Sequence, residues 1–568
     1  MAKKNNNSET KKLKAEVERL KKELKKRKKY GLVWEEKPEE VVEMCKEKLP
    51  VLKEVKNKEI ITDKDKPVNL LIEGDNYHAL SVLNYTHNKK VDVIYIDPPY
   101  NTGAKNWRYN NNYVDRDDAF RHSKWISFMN SRLVMAKKLL PENGFFICAI
   151  DSNELFSIGL LLDEIFGENN RLGLVTVLHN PKGRNQSKFF SENSEFMLVY
   201  ARNIDKVNFN RIALNEEVQL TFNQEDKYGK YRLEPFMRAR TVWSRKKRPL
   251  NWYPIFVSRD LKIITSEKTK GYYEIYPITN DGKEMAWKNI KETFDQLNDD
   301  GYFIAKKEGD RIRIDHKYRE QQVLKNVWLD QKYQSEFHGT NLLKKILGKN
   351  IFDYPKSVYL LVDILKLTTK KDSVVLDFFA GSGTTGHAIL ELNKKDGGDR
   401  KFILCTNNED NNDSGYKIAD DICYPRIKKV IQGYKNLKGE KVDGLGGNLK
   451  YFKTDFVDYD EPTDRNKIKL TEQATEMLCV KEGTFEKVSD RKDFKIFKNT
   501  NYYTGIIFDQ VAIPAFKKTI KDIKGKFSVY VFSLGDETFD DEFKDIKQKV
   551  QLSPIPEAIL RVYRRIFK

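Results

Sequence analysis

The chain has 568 residues, and 103 Lys and Arg against 84 Asp and Glu give it a formal net charge of +19 at pH 7. This length exceeds one small domain, and the basic balance favours a polyanionic partner such as DNA, although a lysine-rich proteome would produce the same balance. The mean hydropathy of −0.67 argues against a membrane protein. Five cysteines without C-x-x-C spacing argue against a metal site and for a reducing cytoplasm.

Residues 1–66 are predicted to form an N-terminal helical segment and a linker. Leu13, Val17, Leu20 and Leu24 are spaced by four, three and four positions among Lys and Glu residues. This spacing predicts a short amphipathic helix that packs on its own chain or on a second subunit, because it is too short for a stable coiled coil. Phosphate binding by its lysine-rich end is the alternative.

The most informative segment is an apolar run from Val93 that ends in Asp97-Pro98-Pro99-Tyr100. The run predicts a buried parallel strand, and the prolines stop it with Asp97 at the carboxyl edge of the sheet. Prolines also make the turn rigid and leave its carbonyls able to accept hydrogen bonds. Asp97 and the Pro98 carbonyl can then hold the two hydrogens of an exocyclic amine, while Tyr100 stacks on the base. An ordinary Pro-Pro turn with a surface tyrosine is the alternative.

The rest of residues 67–204 alternates strand and helix patterns, which predicts one half of a doubly wound α/β sheet. The loop after Tyr100 combines amides and aromatics with Lys105 and Arg108, groups that can stack on bases and contact phosphates. We therefore expect an active-site loop that contacts DNA. A solvated loop with aromatic anchors is the alternative.

Residues 205–340 lack this alternation and are predicted to form an inserted target-recognition domain. They contain the basic run Arg245-Lys246-Lys247-Arg248, followed by Trp252 and Tyr253. Arginine can read guanine in the major groove, and cations can anchor phosphates. For each residue of the run taken alone, non-specific phosphate contact or a solvated position is the alternative.

A glycine-rich turn follows a second strand pattern, in the segment Val374-Val-Leu-Asp377-Phe-Phe-Ala-Gly381-Ser-Gly383-Thr-Thr-Gly386. Gly381 to Gly386 fits G-x-G-x-x-G, and Glu409 lies after the next strand at the spacing of a ribose-binding acid. The pattern therefore admits a nicotinamide enzyme. The acid before the glycines and the threonines after them fit S-adenosylmethionine (AdoMet) better.

The two motifs, in this order, resemble those of the permuted (beta-class) AdoMet-dependent DNA amino-methyltransferases. The resemblance is greatest to the Mod subunits of type III restriction–modification systems, which methylate adenine N6. It spans residues 30 to about 455 and includes three further stretches: Asn69-Leu-Leu-Ile-Glu-Gly-Asp75-Asn76, Asn101-Thr-Gly103 and Phe352-Asp-Tyr-Pro-Lys356. It implies a Rossmann-like methyltransferase sheet with AdoMet as cofactor, divided between residues 67–204 and 341–440.

The resemblance also implies roles for individual residues. Asp97, Pro98, Pro99 and Tyr100 are expected to form the catalytic turn. Asp75 is expected beside the cofactor or the catalytic strand, or else as a helix N-cap. Thr384 or Thr385, and Lys356 by charge pairing, are expected to meet the methionine carboxylate. Glu409, with Asp410 as the alternative, is expected to bind the ribose. The remaining cofactor contacts are expected to be Asp377, Phe379, Gly381 and Gly383.

The expected substrate is double-stranded DNA, in which the target adenine is flipped out of the duplex. A homodimer is one expected assembly. A separate helicase-nuclease restriction subunit is the other expected partner, because no P-loop motif or nuclease constellation is visible. Residues 441–568 are predicted to form a small C-terminal α/β domain for recognition, dimerisation or docking. Cytosine-N4 methylation, a non-catalytic DNA-specificity subunit and an NAD-dependent oxidoreductase are the alternative functions.

Overall fold

A computed structural model describes most of the chain, namely residues 37–103, 108–109, 112–183, 189–210, 220–319, 325–409, 415–458, 464–500, 502–535, 537 and 539–567. The predicted helix around Leu13 to Leu24, Lys105, Asp410 and the Arg108 side chain lie outside this description. The chain forms two compact units: Asn208–Lys325 is one, and the residues before and after it together form the other.

The larger unit is built on a ten-stranded sheet. Six neighbouring strands in its middle are mutually parallel, and antiparallel strands flank them on both sides. In spatial order the ten strands are Lys48–Glu54, Asn448–Asp458, Val68–Glu73, Lys401–Thr406, Val374–Asp377, Val93–Ile96, Phe145–Ile150, Ser194–Ala201, Arg171–Leu178 and Val327–Trp328.

The two strands that carry the sequence motifs are direct neighbours in this sheet. Val375 and Leu376 pair in parallel register with Val93 and Ile94. The chain leaves the two strands toward opposite sides of the sheet, so this pair is the topological switch point, where α/β sheets bind ligands at the carboxyl edge. Asp97 and Asp377 therefore meet at one edge although they are far apart in sequence.

Helices cover both faces of the sheet, and the side chains of the strand Val93–Ile96 are buried on both faces. One group of helices packs around Asn76–Thr86 and the other around Thr384–Asp396. The fold is thus the predicted doubly wound α/β sheet. The helices of this part are Glu40–Glu47, Asn76–Thr86, Arg121–Leu139, Leu155–Phe166, Asn341–Leu347, Val358–Thr368, Thr384–Asp396 and Tyr424–Gln432. No helix among the described residues is long and apolar enough to cross a membrane.

The outer strands of the sheet place two domain boundaries differently from the prediction. Lys48–Glu54, expected in the linker of residues 1–66, pairs along its full length with Asn448–Asp458, expected in the C-terminal domain from residue 441. The strand Lys48–Glu54 does not show the usual alternation of buried and exposed residues, because four consecutive residues are buried and one of them is a proline. Its partner is recognisable only from the pairing, which joins distant parts of the chain.

The compact unit Asn208–Lys325 is shorter than the predicted recognition insert of residues 205–340, because Val327–Trp328 already pairs with the central sheet. Its core combines aliphatic residues with aromatic side chains, which include Phe236, Trp287, Phe294 and Phe303. Its strands are Gln224–Asp226, Gly229–Pro235, Met237–Arg238, Ile255–Val257, Ile264–Thr265, Tyr273–Ile275, Ala286–Trp287, Phe303–Glu308 and Arg311–Arg319, and it includes the helix Lys291–Asp299.

The C-terminal part is a five-stranded sheet with helices, as predicted for a small α/β domain. Its helix Thr475–Glu482 packs on Asn76–Thr86, and the Tyr563 hydroxyl donates to the Pro50 carbonyl. Its strands are Glu486–Asp490, Phe494–Lys498, Tyr502–Ile507, Lys526–Phe532 and Val550–Ile555; its helices are Asp464–Gln473, Thr475–Glu482, Ile513–Ile520 and Glu557–Ile566.

Candidate active site

The turn Asp97-Pro98-Pro99-Tyr100 follows the strand Val93–Ile96 directly and has no regular secondary structure. The Pro99 carbonyl accepts a hydrogen bond of 2.7 Å from Nε1 of the buried Trp125. The Tyr100 hydroxyl donates to Asp97 Oδ1 at 2.7 Å. The turn is therefore held in place by its prolines and by the hydrogen bonds of Trp125 and Tyr100.

The glycine-rich turn connects Val374–Asp377 to the helix Thr384–Asp396. Gly381 has φ +47° and Gly383 has φ +78°, a region that favours glycine. Asp377 closes the turn, because its Oδ1 accepts from the Phe379 N–H at 3.0 Å and its Oδ2 from the Thr385 hydroxyl at 2.5 Å. Both ends of the turn are thus tied to one buried carboxylate.

A single cavity of about 650 Å³ joins the two turns. It brings together all of the predicted catalytic residues and most of the predicted cofactor contacts. The predicted residues on its wall are Asp75, Asp97, Pro98, Pro99, Tyr100, Lys356, Asp377, Phe379, Gly381, Thr384, Thr385 and Glu409.

Gly383 is absent from this wall among the described residues, contrary to its predicted role as a cofactor contact. A Cβ on Gly383 would lie 3.0 Å from Cys423 Sγ and 3.4 Å from Ile427, so this glycine faces the protein interior. It is required for the positive φ and for close packing of the turn.

The threonine hydroxyls are engaged within the protein. Thr385 donates to Asp377, and Thr384 Oγ1 accepts from Arg426 Nη1 at 2.8 Å. Both threonines are buried. Their hydroxyls therefore hold the turn, and their contact with a methionine carboxylate stays a prediction.

Lys356 lies on the cavity wall beside the catalytic turn. Its Nζ donates to Glu195 Oε2 at 2.6 Å and to the Tyr100 hydroxyl, and lies 3.3 Å from Asp97 Oδ1. The lysine is thus paired with protein carboxylates at the catalytic turn, one of them Glu195, which no motif pointed to.

Burial dominates the electrostatics of the two motif acids. It raises the pKa of Asp377 to about 7, against the lowering effect of the Thr385 and Phe379 hydrogen bonds. Burial also raises the pKa of Asp97; Lys356 opposes this shift and Glu195 adds to it. Each carboxylate thus depends on its donors to stay ionised near neutral pH.

Asp75 combines its two predicted alternatives. It is the N-cap of Asn76–Thr86, accepting from the Tyr77 N–H at 2.7 Å, and it lies on the cavity wall. The buried Arg132 forms an ion pair with Asp75 at 3.2 Å and donates two hydrogen bonds of 2.7 and 2.9 Å to the Glu39 carboxylate. Arg132 therefore supports the cavity wall from behind.

Sequence reasoning missed several residues of the cavity wall. Asn76 donates from Nδ2 to the Phe378 carbonyl at 3.1 Å and so links the cofactor turn to the helix that Asp75 caps. Asn76 and Phe352 lie in stretches that carried the family resemblance and could have been singled out there. Glu195 and Phe128 had no local signal. The wall residues missed include Asn76, Phe128, Glu195, Phe352 and Tyr354.

The basic run predicted to contact DNA lies in the unit Asn208–Lys325. Arg245 pairs with Glu284 at 2.9 Å and its guanidinium lies 4.7 Å from the Trp252 ring, while Arg248 lies 5.0 Å from the Trp243 ring. Lys246 and Lys247 are exposed. The two lysines therefore present exposed charges, whereas the two arginines contact other side chains.

The sequence is similar to a known protein family and to several known proteins. The family model described as DNA methylase, for N6 and N4 methyltransferases, matches residues 91–417. The Mod subunit of the type III restriction–modification enzyme EcoPI, from Escherichia phage P1, is 34% identical in an alignment 411 residues long that covers 64% of this chain and 62% of that protein. The StyLTI Mod subunit of Salmonella typhimurium is 33% identical over 395 residues, 64% of this chain and 57% of that protein.

The chain thus spans about three fifths of the length of these two Mod relatives. The type II methyltransferase M.KpnI of Klebsiella pneumoniae is 31% identical over 379 residues, 65% of this chain and 89% of that protein. The family match covers more than half of the chain and includes both motifs. The chain belongs to the DNA methylase family of N6 and N4 amino-methyltransferases.

Proposed function

We propose that the protein transfers a methyl group from AdoMet to N6 of adenine in double-stranded DNA. The observation that carries the proposal is that the Asp97 turn and the Gly381 turn open into one cavity. A transfer between two bound molecules requires this juxtaposition, since proximity and orientation supply a large part of the rate. Similarity to the Mod subunits supports adenine as the base and a type III system as the setting.

The cavity suits AdoMet in size and in charge. Its volume of about 650 Å³ lies within the range of small-molecule sites. The buried Tyr95 hydroxyl lines it and has no hydrogen-bond partner among the described residues, so a polar ligand would supply one. We propose that Asp377, Phe379, Gly381 and Glu409 hold the cofactor, with Glu409 at the ribose hydroxyls and both acids complementary to its positive charge.

When bound, AdoMet supplies an electrophilic methyl group. The protein supplies two hydrogen-bond acceptors for the target amine. The Asp97 carboxylate accepts a hydrogen bond from one amine hydrogen and the Pro98 carbonyl from the other. These bonds reduce the conjugation of the nitrogen lone pair with the base, so that the lone pair can attack. Tyr100 stacks on the base and recovers part of the few kcal/mol that unstacking costs.

We further propose that the unit Asn208–Lys325 reads the target sequence and that Lys246, Lys247 and Arg248 contact phosphates. The proposed partners are a second copy of the chain and a separate restriction subunit, in line with the Mod similarity. The five cysteines are free and buried, which suits the reducing cytoplasm.

The test is to incubate the protein with methyl-labelled AdoMet and unmethylated DNA, digest the DNA and identify the labelled nucleoside. We expect labelled N6-methyl-2′-deoxyadenosine. Labelled N4-methyl-2′-deoxycytidine would keep the reaction class and overturn the base. The absence of transfer to any DNA of diverse sequence, in a protein that binds AdoMet, would contradict the proposed activity.

A further inference from the structure

Lys356 lies between two carboxylates at the target-amine end of the cavity. Its Nζ is 2.6 Å from Glu195 Oε2 and 3.3 Å from Asp97 Oδ1. The side chains of Lys356, Glu195 and Asp97 are 7%, 13% and 25% exposed. Such a shielded triad interacts more strongly than surface ion pairs do, because solvent screens it less.

Three separate elements bring these groups together. Asp97 follows the strand Val93–Ile96, Glu195 lies at the start of the strand Ser194–Ala201, and Lys356 precedes the helix Val358–Thr368. The segment around Lys356 is fixed by its neighbours, since Ser357 Oγ donates to the Lys332 carbonyl at 2.6 Å and Gly339 packs against the Pro355 carbonyl. The ammonium position is therefore built into the fold.

The triad combines one positive and two negative charges. Without Lys356, two close carboxylates in a buried site would disfavour each other's ionised form. Without Glu195, Lys356 would neutralise Asp97, which must attract the amine hydrogens and the positive charge that develops on the methylated nitrogen. With all three charges present, Asp97 stays anionic and the site remains net negative where positive charge develops.

We propose that Glu195 and Lys356 are a positioning pair that keeps the Asp97 carboxylate ionised and oriented toward the target amine. The inference rests on the proposed methyl transfer and assigns Lys356 to the base side of the cavity. Tyr100 completes the arrangement, because it donates to Asp97 Oδ1 and accepts from Lys356. Tyr100 and Lys356 both approach Oδ1 of Asp97, so Oδ2 is the acceptor proposed for the amine.

The groups that face Asp97 determine the sign of the expected pH effect. Besides Lys356 and Glu195 they are Tyr95, Tyr100, Cys148 and Asp377. His179 lies 4.0 Å from Glu195, and Asp151 and Glu192 lie farther along the wall. Burial lowers the pKa of Lys356, but Asp97 and Glu195 raise it above its usual value, so the lysine stays charged. Lys356 is the cation that opposes the effect of burial on Asp97.

The test is the pH dependence of single-turnover methyl transfer, with AdoMet affinity measured on the same preparations. In Lys356→Met, we expect the acidic limb to move to higher pH by about one unit or more, because an opposite charge next to Asp97 is lost. In Glu195→Gln, we expect the limb to move to lower pH and the maximal rate to fall severalfold. Lys356→Arg should restore most of the wild-type profile.

The controls separate this role from others. Lys182→Met removes a lysine from an exposed pair with Glu336 and should leave the profile unchanged. AdoMet affinity should stay close to wild type in all variants, which also shows that they fold. Loss of AdoMet affinity in Lys356→Met would assign the lysine to the cofactor and overturn the inference, as would slower transfer with an unmoved acidic limb. A wild-type protein inactive on all DNA would instead contradict the proposed function itself.

Discussion

Thr385 and Asp377 are joined by a 2.5 Å hydrogen bond across the glycine-rich turn. The acid ends a strand of the central sheet, and the threonine lies in the first turn of the helix that follows. Both residues were expected to contact the cofactor, and the structure shows that they contact each other. The bond fixes the path of the turn that lines the cavity.

Replacing Thr385 by Val should destabilise the protein, because the buried Asp377 carboxylate loses a donor while the shape of the side chain is kept. Leaving such a group unsatisfied costs about 1–3 kcal/mol. Thr385→Ser retains the hydroxyl and is the matched control. Urea unfolding measures the difference, and equal stability of the two variants would contradict the role of this bond.

AdoMet binding should tighten as pH rises toward neutrality. Burial raises the pKa of Asp377 to about 7, so the carboxyl is largely protonated at pH 6 and ionised at pH 8. A positively charged ligand selects the ionised form, so affinity should rise up to about tenfold per pH unit below the pKa. Calorimetry across this range measures the slope. If an Asp377→Asn variant kept the wild-type slope, the pH dependence of AdoMet affinity would arise from another group.

Arg132→Met should destabilise the larger unit strongly. The guanidinium is fully buried, and its removal leaves Glu39 and Asp75 without their cation. Breaking such a buried pair costs about 3–5 kcal/mol. Arg171→Met breaks an exposed pair with Asp163 and should cost below about 1 kcal/mol. Denaturant unfolding of both variants tests this contrast, and similar losses would contradict it.

Replacing Lys246 and Lys247 together by Ala should weaken DNA binding mainly at low salt. Each lost phosphate contact should reduce the slope of log affinity against log salt by about 0.9. Arg245→Ala should have a smaller effect, because Glu284 already neutralises that arginine. Fluorescence anisotropy at several salt concentrations measures the slopes. An unchanged slope in the double variant would exclude these lysines from the interface.

The parts of the fold that depend on local pattern were predictable. Val93–Ile96 and Val374–Asp377 are apolar runs ended by Pro or by a glycine-rich turn, and both are strands. Asp75 carried a local helix-cap signal, and it caps the helix Asn76–Thr86. Each of these features is set within a few residues of chain.

The features that were missed depend on contacts between distant residues. Glu195 and Lys356 are 161 positions apart, and Arg132 and Glu39 are 93 apart. No local pattern distinguishes such a residue from a surface charge. The edge strand Lys48–Glu54 was missed for the same reason, since only its pairing with Asn448–Asp458 makes it a strand of the sheet.

The most direct test of the account is the AdoMet affinity of Asp97→Ala, measured by calorimetry on a preparation also assayed for labelled methyl transfer. We predict wild-type affinity and no transfer, because Asp97 serves the amine while the Gly381 turn serves the cofactor. Gly381→Val is the reciprocal variant and should lose affinity, since φ is +47° there and a Cβ would lie 3.3 Å from Phe352. Loss of AdoMet affinity in Asp97→Ala with transfer retained would contradict this assignment of the two turns.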